Sequence, residues 1–295
     1  MTTLTDLSND LTQFIVRVRS GAVAVAGHGE PPFSGIIWRE GIVVTSEQAL
    51  GEEGDITIIL DGGEAAKATP IGRDPTTNTA VLRIERPGLL PVEHGDAATL
   101  AAGQIALAVG RHRSGHPLCA LGAVALAGDA WRSMVGGRID RLIRLDLRVG
   151  RELEGAAVLD ASGRIFGMVT AGPRRTVLAI PAETIERAVA QLLEKGRIAR
   201  GYLGVGVQPA RLATAQAPRR KGLVVVNVEP NGPADRAGIT VGDVLLAIDG
   251  TEVRTSHDLL GLLGPESVGK QMVVTGLRGG APFQWRIEIG ERPAV

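Results

Sequence analysis

The sequence predicts a mainly β chain: two β-barrels in tandem, a closing helix, and a smaller α+β module behind them. Three observations predict it. From Ala22 to Ile180, apolar runs of strand length follow one another, separated by turns that carry Gly or Pro. At Ala182 the apolar period lengthens to that of a helix. Beyond Gly196 a new set of runs and turn signals begins. With 40 glycines and only 3% aromatic residues, the chain is turn-rich, and its core is left to Val, Leu, Ile and Ala.

Leu4, Leu7, Leu11, Ile15 and Val16 recur at helical spacing, which makes residues 1–18 an N-terminal helical segment with one apolar face. Strands follow at Ala22–Ala26, Gly35–Trp38, Ile42–Thr45, Ile56–Leu60 and Ala80–Ile84. Turns are signalled at Arg39–Gly41, Asp61–Gly63 and Arg73–Pro75. The second set comprises Ile105–Gly110, Cys119–Ala127, Arg138–Val149, Ala156–Leu159, Ile165–Thr170 and Val177–Ile180. Within Arg138–Val149, the polar residues Arg144, Asp146 and Arg148 alternate with Ile143, Leu145, Leu147 and Val149, the pattern of a strand with one buried face. This assigns residues 19–90 to barrel one and 91–181 to barrel two, with about six strands each. Ile185, Ala188, Val189, Leu192 and Leu193 share one face of a helix over 182–195, opened by Pro181 and stopped by Gly196. Residues 19–196 are thus one domain, and 197–295 form the last module, interrupted by a polar stretch at Ala210–Lys221.

Composition narrows the function classes. The 32 basic and 32 acidic residues cancel, so no net charge draws the chain to nucleic acid or lipid. The single cysteine, Cys119, rules out an internal disulfide and fits a reducing compartment. The N-terminal stretch MTTLTDLSNDLTQFIV has no positive charge before Arg17 and no apolar h-region, so it does not read as a secretory signal. The longest run without Asp, Glu, Lys or Arg, Ser114–Gly128, is shorter than the roughly 18–20 residues that span a bilayer. The chain reads as soluble and cytoplasmic, with no membrane span. His112, His116 and Cys119 have a metal-like spacing, but the loop RHRSGHP offers no fixed helical face and no fourth ligand. They read as surface-loop residues, as do His28 and His94. No metal or cofactor is expected.

Four stretches, in order, resemble the HtrA/Deg-type trypsin-like serine proteases with one C-terminal PDZ domain. Ser34–Thr45, SGIIWREGIVVT, is similar to that family's first strand pair. Ile56–Ile84 resembles its next strands, through V-x-L-x-D-G to T-D-L-A-V-L. Leu145–Val169 resembles the frame around its G-N-S-G-G-P-L-V motif, with Gly155, Val158, Leu159, Asp160, Gly163 and Gly167 in register. Ala179–Pro181, the following helix and RGYLGV at Arg200–Val205 resemble its junction of protease and PDZ. The resemblance implies a trypsin-like double β-barrel followed by a helix and a PDZ domain. Proteins of this type usually work outside the cytoplasm, so the expected location is a departure.

The resemblance also implies where a catalytic triad would stand, and the chain departs there at every position. The histidine is replaced by Gln48, the aspartate by Asn78 and the serine by Glu154, while the oxyanion-hole glycine is replaced by Glu152. Serine proteolysis needs a hydroxyl nucleophile, an imidazole near neutral pKa and a carboxylate to orient that ring. Gln48 cannot titrate, Asn78 has no charge, and the Glu154 carboxylate would repel a developing oxyanion. Glu152 places a side chain on a turn whose backbone is expected near conformations that favour glycine. Gln48 and Asn78 are expected to pair amide to amide and fill the vacated space. Glu154 is read as solvated, paired with Arg148 or Arg151, or part of an acidic cleft. The expected protein is a pseudoprotease, not an enzyme.

In the last module, Leu223–Val228, EPNGPADRAGI and GDVLLAIDG resemble a PDZ domain. Gly232–Pro233 and Ala237–Gly238 bracket a short helix, and Asp249–Gly250 makes a tight hairpin turn. The family's carboxylate-binding loop corresponds to Tyr202, Leu203, Gly204 and Val205, with Leu203 and Val205 lining a pocket for the last side chain of a peptide. A groove helix is expected from about Ser256, carrying Leu260. His257 reads either as a reader of a ligand hydroxyl or as an exposed first-turn residue. The function implied is a scaffold or sensor that captures C-terminal peptides of client proteins. A divergent serine endopeptidase and a regulatory subunit of an active relative are the alternatives. Partners are then peptide C-termini or unfolded clients and a homotrimer or an active relative, with no nucleic acid.

Overall fold

The computed structural model describes residues 3–27, 31–51, 54–214 and 217–293. His28 lies outside them. Two compact units form: Met1–Trp131 with Ile139–Ile198, and Arg132–Arg138 with Ala199–Val295. The segment 132–138, assigned to barrel two from sequence, therefore groups with the second unit.

The first unit opens with α1 (Leu4–Val18), started by a capping box in which Thr3 and Asp6 satisfy each other's N–H groups. Leu11, Phe14 and Ile15 pack on the unit's core, while Leu4 and Val16 stay exposed. Six strands then close a barrel: β1 (Ala22–Ala26), β2 (Phe33–Arg39), β3 (Ile42–Ser46), β4 (Ile56–Ile59), β5 (Ala65–Asp74) and β6 (Thr79–Ile84), in the order β1-β2-β3-β6-β5-β4. Strand β5 is not marked by an apolar run, because it is largely exposed and holds Lys67 and Pro70. The second barrel contains β7 (Ile105–Arg111), β8 (Pro117–Ala127), β11 (Ile143–Asp146), β12 (Ala157–Leu159), β13 (Ile165–Ala171) and β14 (Val177–Pro181), ordered β11-β14-β13-β12-β7-β8. A short pair, β9 (Trp131–Arg132) and β10 (Arg138–Ile139), precedes β11.

The strand expected over Arg138–Val149 is thus broken. Asp140 is drawn to α2 (Ala182–Lys195), accepting from Thr184 at 2.8 Å and pairing with Arg187 at 2.5 Å. Arg141 turns away to the carbonyls of Ala97 and Leu100. Each barrel has its own interior: Val23, Phe33, Ile37 and Leu82 in the first, Ala108, Val158, Phe166 and Val169 in the second. Between them lies a third cluster, where Ile36, Trp38 and Val44 meet Leu159, Met168 and the α2 residues Ile185, Val189 and Leu192. Strands such as β2 are buried on both faces, which is why they read as continuous apolar runs.

Two polar anchors tie the surface to this core. The Arg111 side chain has no solvent exposure; it donates to the carbonyls of Ala22, Arg19 and Gly115 and pairs with Asp61 at 2.9 Å. Trp38 donates its indole N–H to Glu186 at 2.8 Å, and His94 covers the Trp38 ring at a centroid distance of 3.9 Å. His94 also bridges to Ile165 through its backbone, so this exposed loop residue is anchored by its ring and its main chain.

The second unit pairs β15 (Gly201–Tyr202) with β22 (Gly290–Glu291). Beside that pair lies a sheet of β16 (Val205–Thr214), β17 (Ala217–Val228), β18 (Val244–Ile248), β20 (Gln271–Arg278) and β21 (Ala281–Glu288), with β19 (Thr251–Glu252) joined to β18. Helices α3 (Pro233–Arg236) and α4 (Ser256–Leu262) complete it. Asp249 and Gly250 both have positive φ, 44° and 77°, the geometry of a type I′ turn. The polar stretch Ala210–Lys221 is no interruption: its ends belong to the long β16–β17 hairpin. Among the described residues, no helix is long and apolar enough to cross a membrane.

Burial holds the His94 imidazole below its ordinary 6.5, against the pull of Glu186 and with the help of Arg39. The unfolded chain then binds the proton more tightly, so His94 removes stability as pH falls from above 6.5 through its folded value. The ring keeps solvent contact on its far side, so the effect is modest. Urea midpoints between pH 7 and pH 5 are expected to fall less steeply in His94→Gln than in the parent.

Candidate functional site

The three triad-equivalent positions gather where the two barrels meet. Strand β3 ends in the buried Thr45 and Ser46, and the turn after it carries Gln48. Asn78 occupies the turn before β6 with φ 53°, a left-handed conformation that Asn tolerates. Its Oδ1 accepts the backbone N–H of Gln48 at 2.8 Å and lies 3.1 Å from Ser46 Oγ. Its Nδ2 donates to Thr170 Oγ1 at 2.5 Å and reaches Glu154 Oε1 at 3.5 Å. Glu154 Oε1 also accepts from Ser46 Oγ at 2.9 Å, and Oε2 accepts the N–H of Ala171 at 2.9 Å.

Two expectations are corrected here. Asn78 bonds the backbone of Gln48, not its side-chain amide, and the Gln48 residue is exposed. Glu154 is not simply solvated, since both of its oxygens take hydrogen bonds, Oε1 from Ser46 in barrel one and Oε2 from Ala171 in its own barrel. The sequence pointed to neither Thr170 nor Ala171, because their roles come from strand β13 lying across the seam.

The turn before Glu154 is a single 3₁₀ turn over Arg151–Leu153. Within it Leu153 N–H donates to Gly150 O and Glu154 N–H to Arg151 O, each at 3.0 Å. An oxyanion hole needs N–H groups aimed into the cleft at the nucleophile and two residues before it. The donor of residue 154 is spent inside its own turn. Ser34 holds that turn in place: its hydroxyl donates to the Glu152 carbonyl at 2.5 Å and accepts from Arg111 N–H at 3.2 Å, while Ser34 N–H donates to Glu154 O at 2.8 Å. Glu152 keeps ordinary helical backbone angles, so the expected strain is absent. The glycine-only position is Gly155, where φ is 79° and a Cβ would stand 2.2 Å from the Ser34 carbonyl oxygen.

Of the three serines near the cleft motifs, Ser34 and Ser46 are fully buried. Ser114 is exposed, and its Oγ lies 2.7 Å from His112 Nδ1, with His112 Nε2 3.6 Å from Glu152 Oε1. The same Nδ1 accepts the backbone N–H of Ser114 at 3.1 Å, which assigns the ring proton to Nε2. His116 and Cys119 are exposed, and among the described residues no three His, Cys, Asp or Glu side chains converge as a metal site would require.

In the second unit, Leu203 and Gly204 turn their carbonyls inward, where they accept from Ala234 and Glu229, each at 2.8 Å. No hydrogen bond among the described residues uses their N–H groups. Gly204 has φ 74° and β16 beyond it is an edge strand, so a free strand edge begins at an unsatisfied loop. Leu203 is 2% exposed and packs in the unit's core, and Val205 is half-buried against it. Leu260 is exposed on α4. His257, in the first turn of α4, is half-buried with Nδ1 unpartnered, which excludes a fully exposed residue.

Comparisons with known proteins agree with this geometry. The trypsin-like peptidase domain model matches residues 33–168, and the PDZ domain model matches residues 201–289. A probable periplasmic serine endoprotease DegP-like protein of Brucella suis is 31% identical, covering 90% of this chain and 54% of the relative. The chain thus spans about half the length of such DegP-like relatives. The serine endoprotease DegS of Haemophilus influenzae is 26% identical, covering 88% of this chain and 77% of DegS. Among solved structures, the HtrA-type protease AlgW with a tripeptide superposes with a TM-score of 0.73 at 25% identity, over 97% of this chain and 98% of AlgW. A serine endoprotease from Yersinia pestis gives 0.73 at 23% identity, over 96% and 98%. Fold and motifs together define a trypsin-like double barrel joined to one PDZ domain. Within that class, the chain belongs to the HtrA type.

The seam around Glu154 predicts a stability effect. Glu154→Ala leaves the Ala171 N–H without its acceptor and the Ser46 hydroxyl with Asn78 Oδ1 alone, and is expected to cost about 1–3 kcal/mol. Glu154→Gln keeps an acceptor oxygen and is expected to cost less. Denaturant titration of the two variants against the parent measures both.

Proposed function

We propose that this chain is a pseudoprotease of the HtrA type, whose PDZ domain captures C-terminal peptides while the peptidase domain serves as a scaffold. The observation that carries the reading is the spent N–H of residue 154 at a centre holding Gln48, Asn78 and Glu154. No imidazole stands there to accept a proton, no hydroxyl stands at the nucleophile position, and the oxyanion donor is engaged. Removing single triad members already costs several powers of ten in rate, and the residual activity of such variants rests on the oxyanion hole. On the binding side, the unused N–H groups of Leu203 and Gly204 offer a carboxylate seat at the start of a free strand edge. AlgW, to which the chain is similar, has been solved with a tripeptide.

One observation favours a second reading, a divergent serine endopeptidase. Ser114, His112 and Glu152 form a hydroxyl–imidazole–carboxylate chain, although its ends are exposed and its core contact is local to a tight turn. The two readings separate in one experiment. The full chain and its Ser114→Ala variant are incubated with an unfolded protein substrate, and fluorescent decapeptides with free or amidated C-termini are titrated onto the parent. The expected result is no cleavage by either protein and binding only of free carboxylates. Cleavage that disappears in Ser114→Ala would falsify the pseudoprotease reading, and equal binding of amidated peptides would remove the capture role.

A further inference from the structure

The β16–β17 hairpin reaches well past the seat for a carboxylate, and its charge is one-sided. Between Val205 and Val228 stand Arg211, Arg219, Arg220 and Lys221, with no Asp or Glu. In the register of the hairpin, Arg211 lies directly opposite Lys221. Both residues are exposed, and the ion pairs among the described residues include neither. Like charges set opposite each other across a strand pair oppose folding. The hairpin gains nothing from this arrangement by itself, and an anionic partner would neutralise it. The chain as a whole is neutral, so the charge is a local feature and not a general attraction to polyanions.

We propose that this hairpin is a cationic extension of the peptide groove, selecting C-terminal peptides that carry acidic residues about six to eight positions upstream of their carboxylate. The inference rests on the capture role proposed above. A peptide whose carboxylate sits at Tyr202–Val205 and whose backbone adds to the free edge of β16 must run antiparallel to that strand. Its upstream residues then lie towards Thr214. Arg211 is six residues beyond Val205, which places it about 20 Å along the strand, opposite the sixth residue before the peptide's end. Pro209 has no N–H to offer to a ladder, so main-chain recognition weakens midway along β16. Beyond that point, the exposed Arg211 and Lys221 add side-chain charge as a second means of reading the ligand. The ligand is therefore a peptide with two separated features, an apolar carboxy-terminal residue and an upstream acidic cluster.

The test uses the full chain and a library of random decapeptides displayed with free C-termini. Selection is expected to enrich Asp and Glu at the sixth to eighth positions before the terminal residue. Two synthetic decapeptides that share their last four residues, one with Glu and one with Lys at those upstream positions, then give the magnitude. Two exposed charge contacts should favour the acidic peptide by about three- to tenfold at low salt. The preference should shrink as salt rises towards 1 M. In the double variant Arg211→Glu with Lys221→Glu the cross-strand repulsion is unchanged in kind, so the hairpin's stability is preserved while the preference turns to the Lys peptide. Equal affinities of the parent for both peptides would overturn this inference and leave the capture role standing. Failure of every free-carboxylate peptide to bind would overturn both. If the double variant leaves the peptide preference intact but abolishes binding to RNA or to phosphatidylserine vesicles, the hairpin serves a polyanion and the inference fails.

Discussion

The seam between the two barrels buries polar groups that must find partners inside the protein. Ser46, Thr45, Asn78 and Thr170 all lie there with little or no solvent, and an unpaired group at such a place costs about 1–3 kcal/mol. The structure answers with one connected network: Gln48 N–H to Asn78, Asn78 to Thr170, Ser46 to Glu154, and Glu154 to Ala171. The two middle links, Asn78 to Thr170 and Ser46 to Glu154, cross from one barrel to the other. The apolar cluster around Trp38, Leu159 and α2 supplies the bulk of the contact, but it has no direction of its own. The polar network fixes the register in which the barrels meet.

Seen in this way, Glu154 has a bracing role that a serine could fill only in part. A carboxylate has two oxygens and accepts on both, so it can reach Ser46 in one barrel and the β13 backbone in the other at once. Asn78 is suited to the same task, because its amide accepts on one side and donates on the other. The residues at the triad-equivalent positions therefore share one connected hydrogen-bond network, in which the local choices agree with the fold.

Much of this was legible in the sequence, and the failures have physical reasons. Strands with two buried faces announced themselves as apolar runs, and the closing helix 182–195 was bounded by its Pro and Gly. Strand β5 was silent because it is exposed and built from Ala, Lys and Thr. The stretch Arg138–Val149 showed period two and yet broke, because Asp140 found Thr184 and Arg187 on α2, a tertiary attraction that no local pattern encodes. The positions of Gln48, Asn78 and Glu154 were placed by motif, but their hydrogen bonds were not, since the partners Thr170 and Ala171 lie on a strand far away in sequence. Burial of Arg111 was equally hidden. An arginine in a loop reads as solvated until three backbone carbonyls and Asp61 close around it.

The turn at Arg151–Leu153 joins these threads. A 3₁₀ turn is a favourable way to satisfy backbone groups in a short loop, and it opens only if other donors and acceptors compensate. Here Ser34 secures it from both sides, donating its hydroxyl to Glu152 O and its N–H to Glu154 O, while Arg111 N–H holds the Ser34 hydroxyl in turn. The buried Arg111 side chain is itself held by three backbone carbonyls and Asp61, so the closed turn is continuous with a polar anchor of the unit. Turning the turn outward would have to break the Ser34 contacts and leave the Glu152 carbonyl to find a new donor. The closed state is thus held by the scaffold as well as by the residues that stand in the catalytic positions. That separates two questions usually taken together: which side chains occupy the triad positions, and whether the backbone beside them can receive a negative charge.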